Sequence, residues 1–235
     1  MKSIFSTLVC LFLLNIMGCK SVPVASNQSL IKEKLLQEEA FRYELPLEEL
    51  PPVAPAFPKV ETYTLKNGLT IQVIEDNRLP IAHARLVFKN GAARDPFGYS
   101  GLQNLTALML KEGTATLNSV ELAEAFANLG TEISVATMKD FSQLSVSMLS
   151  DKLEDALSLL AAMVQNPRMA QEDFDRVRFQ QQNAIAANQA EPSYAAQTSF
   201  LMAAYGARHP YAYPNLGTLK ALQTIDLARV KRAHR

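Results

Sequence analysis

From residue 60 onward the apolar residues of the chain recur first at every second position and later at every third or fourth. Residues 60–65 and 69–74 are β-rich and flank Asn67 and Gly68, a pair suited to a turn with positive φ at both central positions, so they predict a β-hairpin. A third strand follows from Ile81 to Phe88, and residues 91–98 read as a loop. Leu102, Leu105, Leu108 and Met109 then share one stripe of a helix from about Ser100 to Lys111, stopped near Gly113. A second helix starts behind Asn118 or Ser119, carries Glu121 and Glu124 in its early turns, and ends at Gly130. Residues 131–137 and 141–148 alternate strictly around a Lys139-Asp140 turn, the signature of half-buried antiparallel strands. Asp151 is predicted to cap a helix reaching Gln165, broken by Asn166 and Pro167. Further helices are predicted over about 171–189, 193–205, 217–223 and 226–235. Strands in one group and helices in another predict an α+β fold, an antiparallel or mixed sheet covered on one side by helices.

The first 58 residues follow another logic. After Met1 and Lys2 the chain is apolar from Ile4 to Met17 and reaches Gly18-Cys19, which reads as a lipoprotein signal peptide over residues 1–18. The apolar stretch falls short of the about 20 residues a spanning helix needs. Cleavage before Cys19 exposes its thiol for lipid attachment, and several acyl chains together make a stable membrane anchor. An ordinary signal peptide followed by a chance cysteine is the alternative. Residues 19–58 turn polar, acidic and finally proline-dense, with Pro46, Pro51, Pro52, Pro55 and Pro58, and read as a tether. Within it, residues 30–43 form either a short amphipathic helix packed on the domain or a solvated part of the spacer.

Cleavage also removes Cys10, so Cys19 is left as the sole cysteine and no intrachain disulfide can form. The peptidase-like domain expected over residues 59–235 must then be stable from its apolar core alone, for which its length suffices. With 23 basic and 23 acidic residues, the chain has no charge surplus to bind nucleic acid. Position 20 carries Lys20 in place of the Asp associated with inner-membrane retention in many Gram-negative bacteria. The expected location is therefore the bacterial cell envelope, lipid-anchored and facing the periplasm, with the outer membrane preferred.

The candidate chemistry lies in residues 98–114. Gly101, Leu102, Met109, Gly113 and Thr114 hold a register in which Asn104, Ala107 and Leu108 occupy the positions between. This segment resembles the active-site helix of the insulinase/pitrilysin family, which includes the mitochondrial processing peptidases. There the pattern is Gly-Leu-x-His-x-x-Glu-His-Met-x-x-x-Gly-Thr, an H-x-x-E-H site. The opening at Leu65 to Leu69, the His209-Pro210-Tyr211 loop, Gly217-Thr218 and the terminal Ile225 to His234 extend the resemblance over roughly residues 60–235. It implies that active members hold Zn²⁺ with the two histidines and a Glu on the next long helix, while the Glu between the histidines activates water. Counting back from Glu191 and Pro192 places the distal Glu position at Ala184. Asn104, Ala107, Leu108 and Ala184 thus stand where the family keeps its catalytic and metal-binding residues, and none can serve. No zinc is expected in this chain, only in an active partner.

Other residues do not restore the site. His83, His209 and His234 fall on a strand, a loop and the last helix, without a paired His at ligand spacing, and Glu112 and Glu121 read as helix-end charges. Arg208, His209 and Tyr211 form a basic, aromatic loop that either contacts a peptide or packs on its own domain. Gln180, Gln181, Gln182 and Asn183 make a neutral polar patch where a ligand Glu would point inward. The leading expectation is a lipid-anchored pseudopeptidase, the inert substrate-binding or chamber-forming half of a heterodimer with an active homologous peptidase, acting on peptide or unfolded polypeptide. The alternatives are the N-terminal part of a longer zinc metalloendopeptidase whose site lies downstream, and a lipoprotein scaffold or peptide-binding module without a peptidase partner.

Overall fold

The computed structural model describes residues 58–235 and, before them, Glu33 and Lys34, which are helical. The leader over 1–18, Cys19, the tether up to residue 57 and the rest of the helix predicted over 30–43 lie outside the described residues.

The hairpin forms where it is predicted, but not with positive φ at both turn positions: Gly68 has φ +85, whereas Asn67 is not among the positive-φ residues. β1 (Val60–Thr64) pairs antiparallel with β2 (Thr70–Ile74) in a two-stranded sheet, and the turn is closed by Gly68 N–H donating to Leu65 O at 2.9 Å.

The remainder is a compact α+β unit over Glu75–Arg235. β3 (Ile81–Phe88), β4 (Ile133–Thr137) and β5 (Ser142–Leu149) form an antiparallel sheet in the order β3-β5-β4. Strand alternation puts Ser142, Leu144, Val146 and Met148 of the central β5 on the buried face. Leu86 of β3 and Val135 of β4 both lie opposite Leu144, so the apolar rows of the three strands meet on that side.

Helices cover this face. They are α1 (Leu102–Met109), α2 (Ser119–Asn128), α3 (Leu153–Gln165), α4 (Gln171–Gln189), α5 (Pro192–Tyr205), α6 (Leu219–Thr224) and α7 (Leu227–His234). Leu105, Met109, Leu122, Phe126, Met163, Phe174 and Val230 are fully enclosed with the sheet's inner side chains in one core. Burying side chains of this size contributes about 1.5–3 kcal/mol each.

Two local expectations need correction. Asp151 does not cap α3: it sits inside a 3-10 turn over Ser150–Lys152, and α3 begins at Leu153 with no side-chain cap. Leu108 is only half-buried beside a stripe whose other members, Leu102, Leu105 and Met109, are enclosed, because α1 is covered on its other sides but not fully there. By contrast, Asn118 and Glu121 form the complete reciprocal cap of α2. Asn118 Oδ1 accepts from Val120 and Glu121 N–H, and Glu121 Oε2 accepts from Asn118 N–H.

Candidate functional site

α1 is held at its start by a carboxylate from outside the helix. Asp95 Oδ2 accepts from Gly101 N–H at 2.7 Å and Oδ1 from Gln103 N–H at 2.8 Å, satisfying donors that the first turn would leave unpaired. Gly101 has φ +94, and a Cβ there would lie 2.4 Å from Leu216 O. The segment around residue 216 thus runs directly against the backbone entry of α1.

One side chain closes this junction. Gln181 on α4 is 2 % exposed. Its Nε2 donates to Leu216 O at 2.7 Å and to Gly101 O at 3.2 Å, and its Oε1 accepts from Asn104 Nδ2 at 3.0 Å. Three pieces of chain are therefore joined by neutral amide hydrogen bonds in the buried interior, where each unmade bond would be expensive.

The four positions singled out in the sequence do not converge equally. Asn104 is buried against Gln181, Ala107 is buried within the helix layer, and Leu108 is half-buried. Ala184 is exposed on α4, and the α4 residue that meets Asn104 is Gln181, three positions earlier. A signal for this existed in the sequence. Phe174, Val177, Gln181 and Ile185 are buried at helical spacing, and Gln181 is the one polar member of that row.

The Arg208–Tyr213 loop divides the expectation made for it. His209 Nδ1 accepts from Tyr211 N–H, and its ring stacks on Tyr205 with centroids 5.0 Å apart. Tyr211 donates to Asp140 Oδ1 at 2.5 Å, and Tyr213 donates to Ala207 O at 2.7 Å. Lys139 Nζ donates to Tyr213 O. His209 and Tyr211 therefore pack the loop on its own domain, whereas Arg208 remains exposed and lines a cleft. Glu112 is more than a helix-end charge: Arg176 bridges it to the buried Asp173, which also faces Arg168 at 3.5 Å.

Asp95 and Lys139 escaped the sequence reading because their roles depend on partners brought in by folding. Burial pushes the Asp95 carboxyl up to about 6, against the opposing pull of its backbone donors and the Lys139 charge, while burial lowers Lys139. A carboxyl raised on folding favours the native state below its unfolded value near 3.8, and that stability is lost as pH rises through about 6. Asp95→Asn is therefore expected to gain on the wild type by up to about 3 kcal/mol between acidic and neutral pH, measured by urea denaturation at each pH. A pH-independent difference would refute the assignment.

Zinc requires several lone-pair donors aimed at one point. Asn104 offers a single neutral amide oxygen, its Nδ2 being spent on Gln181, Ala107 and Leu108 offer hydrocarbon, and among the described residues no three His, Cys, Asp or Glu side chains converge. The residues present do not fit the metal.

A model of the insulinase family (peptidase family M16) matches residues 71–218. The chain is 26% identical over 157 residues to a protein named non-peptidase homolog YmxG from Helicobacter pylori, covering 67% of this chain and 36% of that one. It is also 26% identical over 162 residues to an uncharacterized zinc protease from Rickettsia bellii, covering 69% and 39%. The crystal structure of a peptidase M16 inactive domain from Pseudomonas fluorescens superposes with a TM-score of 0.71 at 30% identity, covering 75% of this chain and 43% of that one. The chain spans less than half the length of these relatives.

Proposed function

The chain belongs to the insulinase family, peptidase family M16, and on that premise we propose that it is a non-catalytic homologue of the zinc metallopeptidases, the substrate-binding or chamber-forming partner of an active subunit. The observation that carries this reading is the Asn104–Gln181 amide pair. Where an H-x-x-E-H site would place its first histidine, the helix carries a neutral amide tied to Gln181 by a hydrogen bond, and Gln181 in turn is tied to Gly101 O and Leu216 O. The names of two relatives, a non-peptidase homologue and an inactive domain, support it.

Support for a partner comes from α5, which buries none of its side chains and carries no charged residue. Phe200 on α5 is 69% exposed and Phe179 on α4 is 62% exposed, two large apolar side chains that the domain itself leaves uncovered. The anchoring part of the proposal rests on the leader: Cys19 carries the lipid, and the domain faces the periplasm from the outer membrane. A second reading is favoured by the length of the relatives, namely a longer metallopeptidase with its zinc site in further sequence.

Recovery of the protein from the cell envelope tests these together. The expected preparation carries acyl chains on Cys19, contains no stoichiometric zinc of its own, does not cleave unstructured peptides alone, and brings a zinc-bearing homologue with it. Zinc together with unaided cleavage would defeat the non-catalytic reading. Recovery without any homologue would favour a scaffold or peptide-binding module instead.

A further inference from the structure

A cleft of about 330 Å³ opens between the 92–100 loop, the 208–214 loop and α6. Its size is at the lower end of ligand pockets, which run from about 300 to 1,000 Å³, so it suits one terminal residue of a chain better than a long segment. Two cations line it, Arg208 and Lys220, and both are exposed. The ion pairs among the described residues engage Lys59, Arg78, Arg168, Arg176 and Arg178, leaving Arg208 and Lys220 without an acidic partner.

The carboxylate lining the cleft does not neutralise them. Both Asp95 oxygens are taken by the backbone N–H groups at the start of α1, and Lys139 adds a compensating charge nearby. The rest of the wall mixes hydroxyl residues, Ser100, Thr218 and Thr224, with an apolar part made by Pro96, Pro210 and Pro214 and by Phe97, which stands 73% exposed. Lys139 on Tyr213 O and Tyr213 on Ala207 O fix the 208–214 loop, so the walls are set before any ligand arrives.

We propose that this cleft holds the C-terminal carboxylate of an extended peptide whose last side chain is apolar. Arg208 supplies the planar fork that matches a carboxylate with two hydrogen bonds, and Lys220 supplies a second positive charge. The prolines and Phe97 cover the apolar side chain. This assignment rests on the peptide-binding part of the proposed function and gives that reading a substrate end and a polarity.

The test uses the full chain and a hexapeptide labelled with fluorescein at its N-terminus and ending in leucine, as the free acid and as the C-terminal amide, followed by fluorescence anisotropy. The acid is expected to bind at least about tenfold more tightly than the amide. Arg208→Ala and Lys220→Ala are each expected to weaken the acid about tenfold and leave the amide unchanged, with unaltered melting temperatures because both side chains are exposed. Equal affinity for acid and amide, or an acid preference that survives both substitutions, overturns the assignment. If reduced casein binds while neither hexapeptide does, the cleft assignment falls and peptide binding stands; if nothing binds, both fall.

Discussion

Gly217→Ala is expected to destabilise the domain by more than about 4 kcal/mol, seen as loss of soluble yield and of a cooperative thermal transition. Gly217 has φ +80, and a Cβ built there lies 2.0 Å from Ser100 O, 2.4 Å from Ser100 C and 2.7 Å from Gly101 Cα. Every one of these atoms is backbone, so no side chain can rotate away. Relief would require parting the 216–217 segment from the start of α1, which would also break the bonds that Gln181 makes to Gly101 O and Leu216 O. Gly206 is the control. Its φ of +78 and ψ of 156 lie in a region that glycine alone adopts readily, but nothing lies within 4 Å of an added Cβ, so Gly206→Ala should lose about 1–3 kcal/mol, from backbone strain alone. If the two variants melt together, the close approach at Gly217 is not a constraint on the fold.

The second large effect is expected at Gln181. Truncation to alanine strands Asn104 Nδ2 and Leu216 O in the interior, takes from Gly101 O the second of its two donors, and leaves a cavity where an enclosed side chain stood. The expected loss is about 3–5 kcal/mol, with a fall in melting temperature on the order of 10 °C. Gln181→Glu separates hydrogen bonding from packing, since it conserves volume but replaces the donor by a second acceptor facing two carbonyls. It should be less stable at neutral than at acidic pH, because a protonated carboxyl can again donate to one of them. A melting temperature for Gln181→Ala close to the wild type would show that α1 and α4 are held by apolar packing alone.

Much of the fold was legible from local pattern. Asn67 and Gly68 mark the hairpin turn, Asn118 and Glu121 mark the cap of α2, and the alternation of 142–148 identifies the strand that becomes the centre of the sheet. These features depend on residues within a few positions of one another, where backbone sterics and hydrogen-bond reach act directly. Asp151 misled because a good capping residue offers a helix start without compelling one, and the chain makes a 3-10 turn there before α3 begins. The Arg208–Tyr213 loop was ambiguous for a related reason. Its composition suits both uses, and only the positions of Tyr205 and Asp140 give His209 and Tyr211 partners within the domain while Arg208 has none among the described contacts.

That Asn104, Ala107 and Leu108 cannot together build a zinc site is plain in the residues themselves, because an amide, a methyl and an isobutyl group lack the donors such a site requires wherever the helix lies. What Asn104 does in the fold is not a property of any one segment. Asn104 and Gln181 are 77 positions apart, and their pairing depends on α4 lying against α1 in one rotation about its axis. A shift of three residues along α4 distinguishes the buried Gln181 from the exposed Ala184. Periodicity narrows such a choice to a face of the helix, and the packed core, through the burial of Phe174, Val177 and Ile185 beside Gln181, makes the final selection.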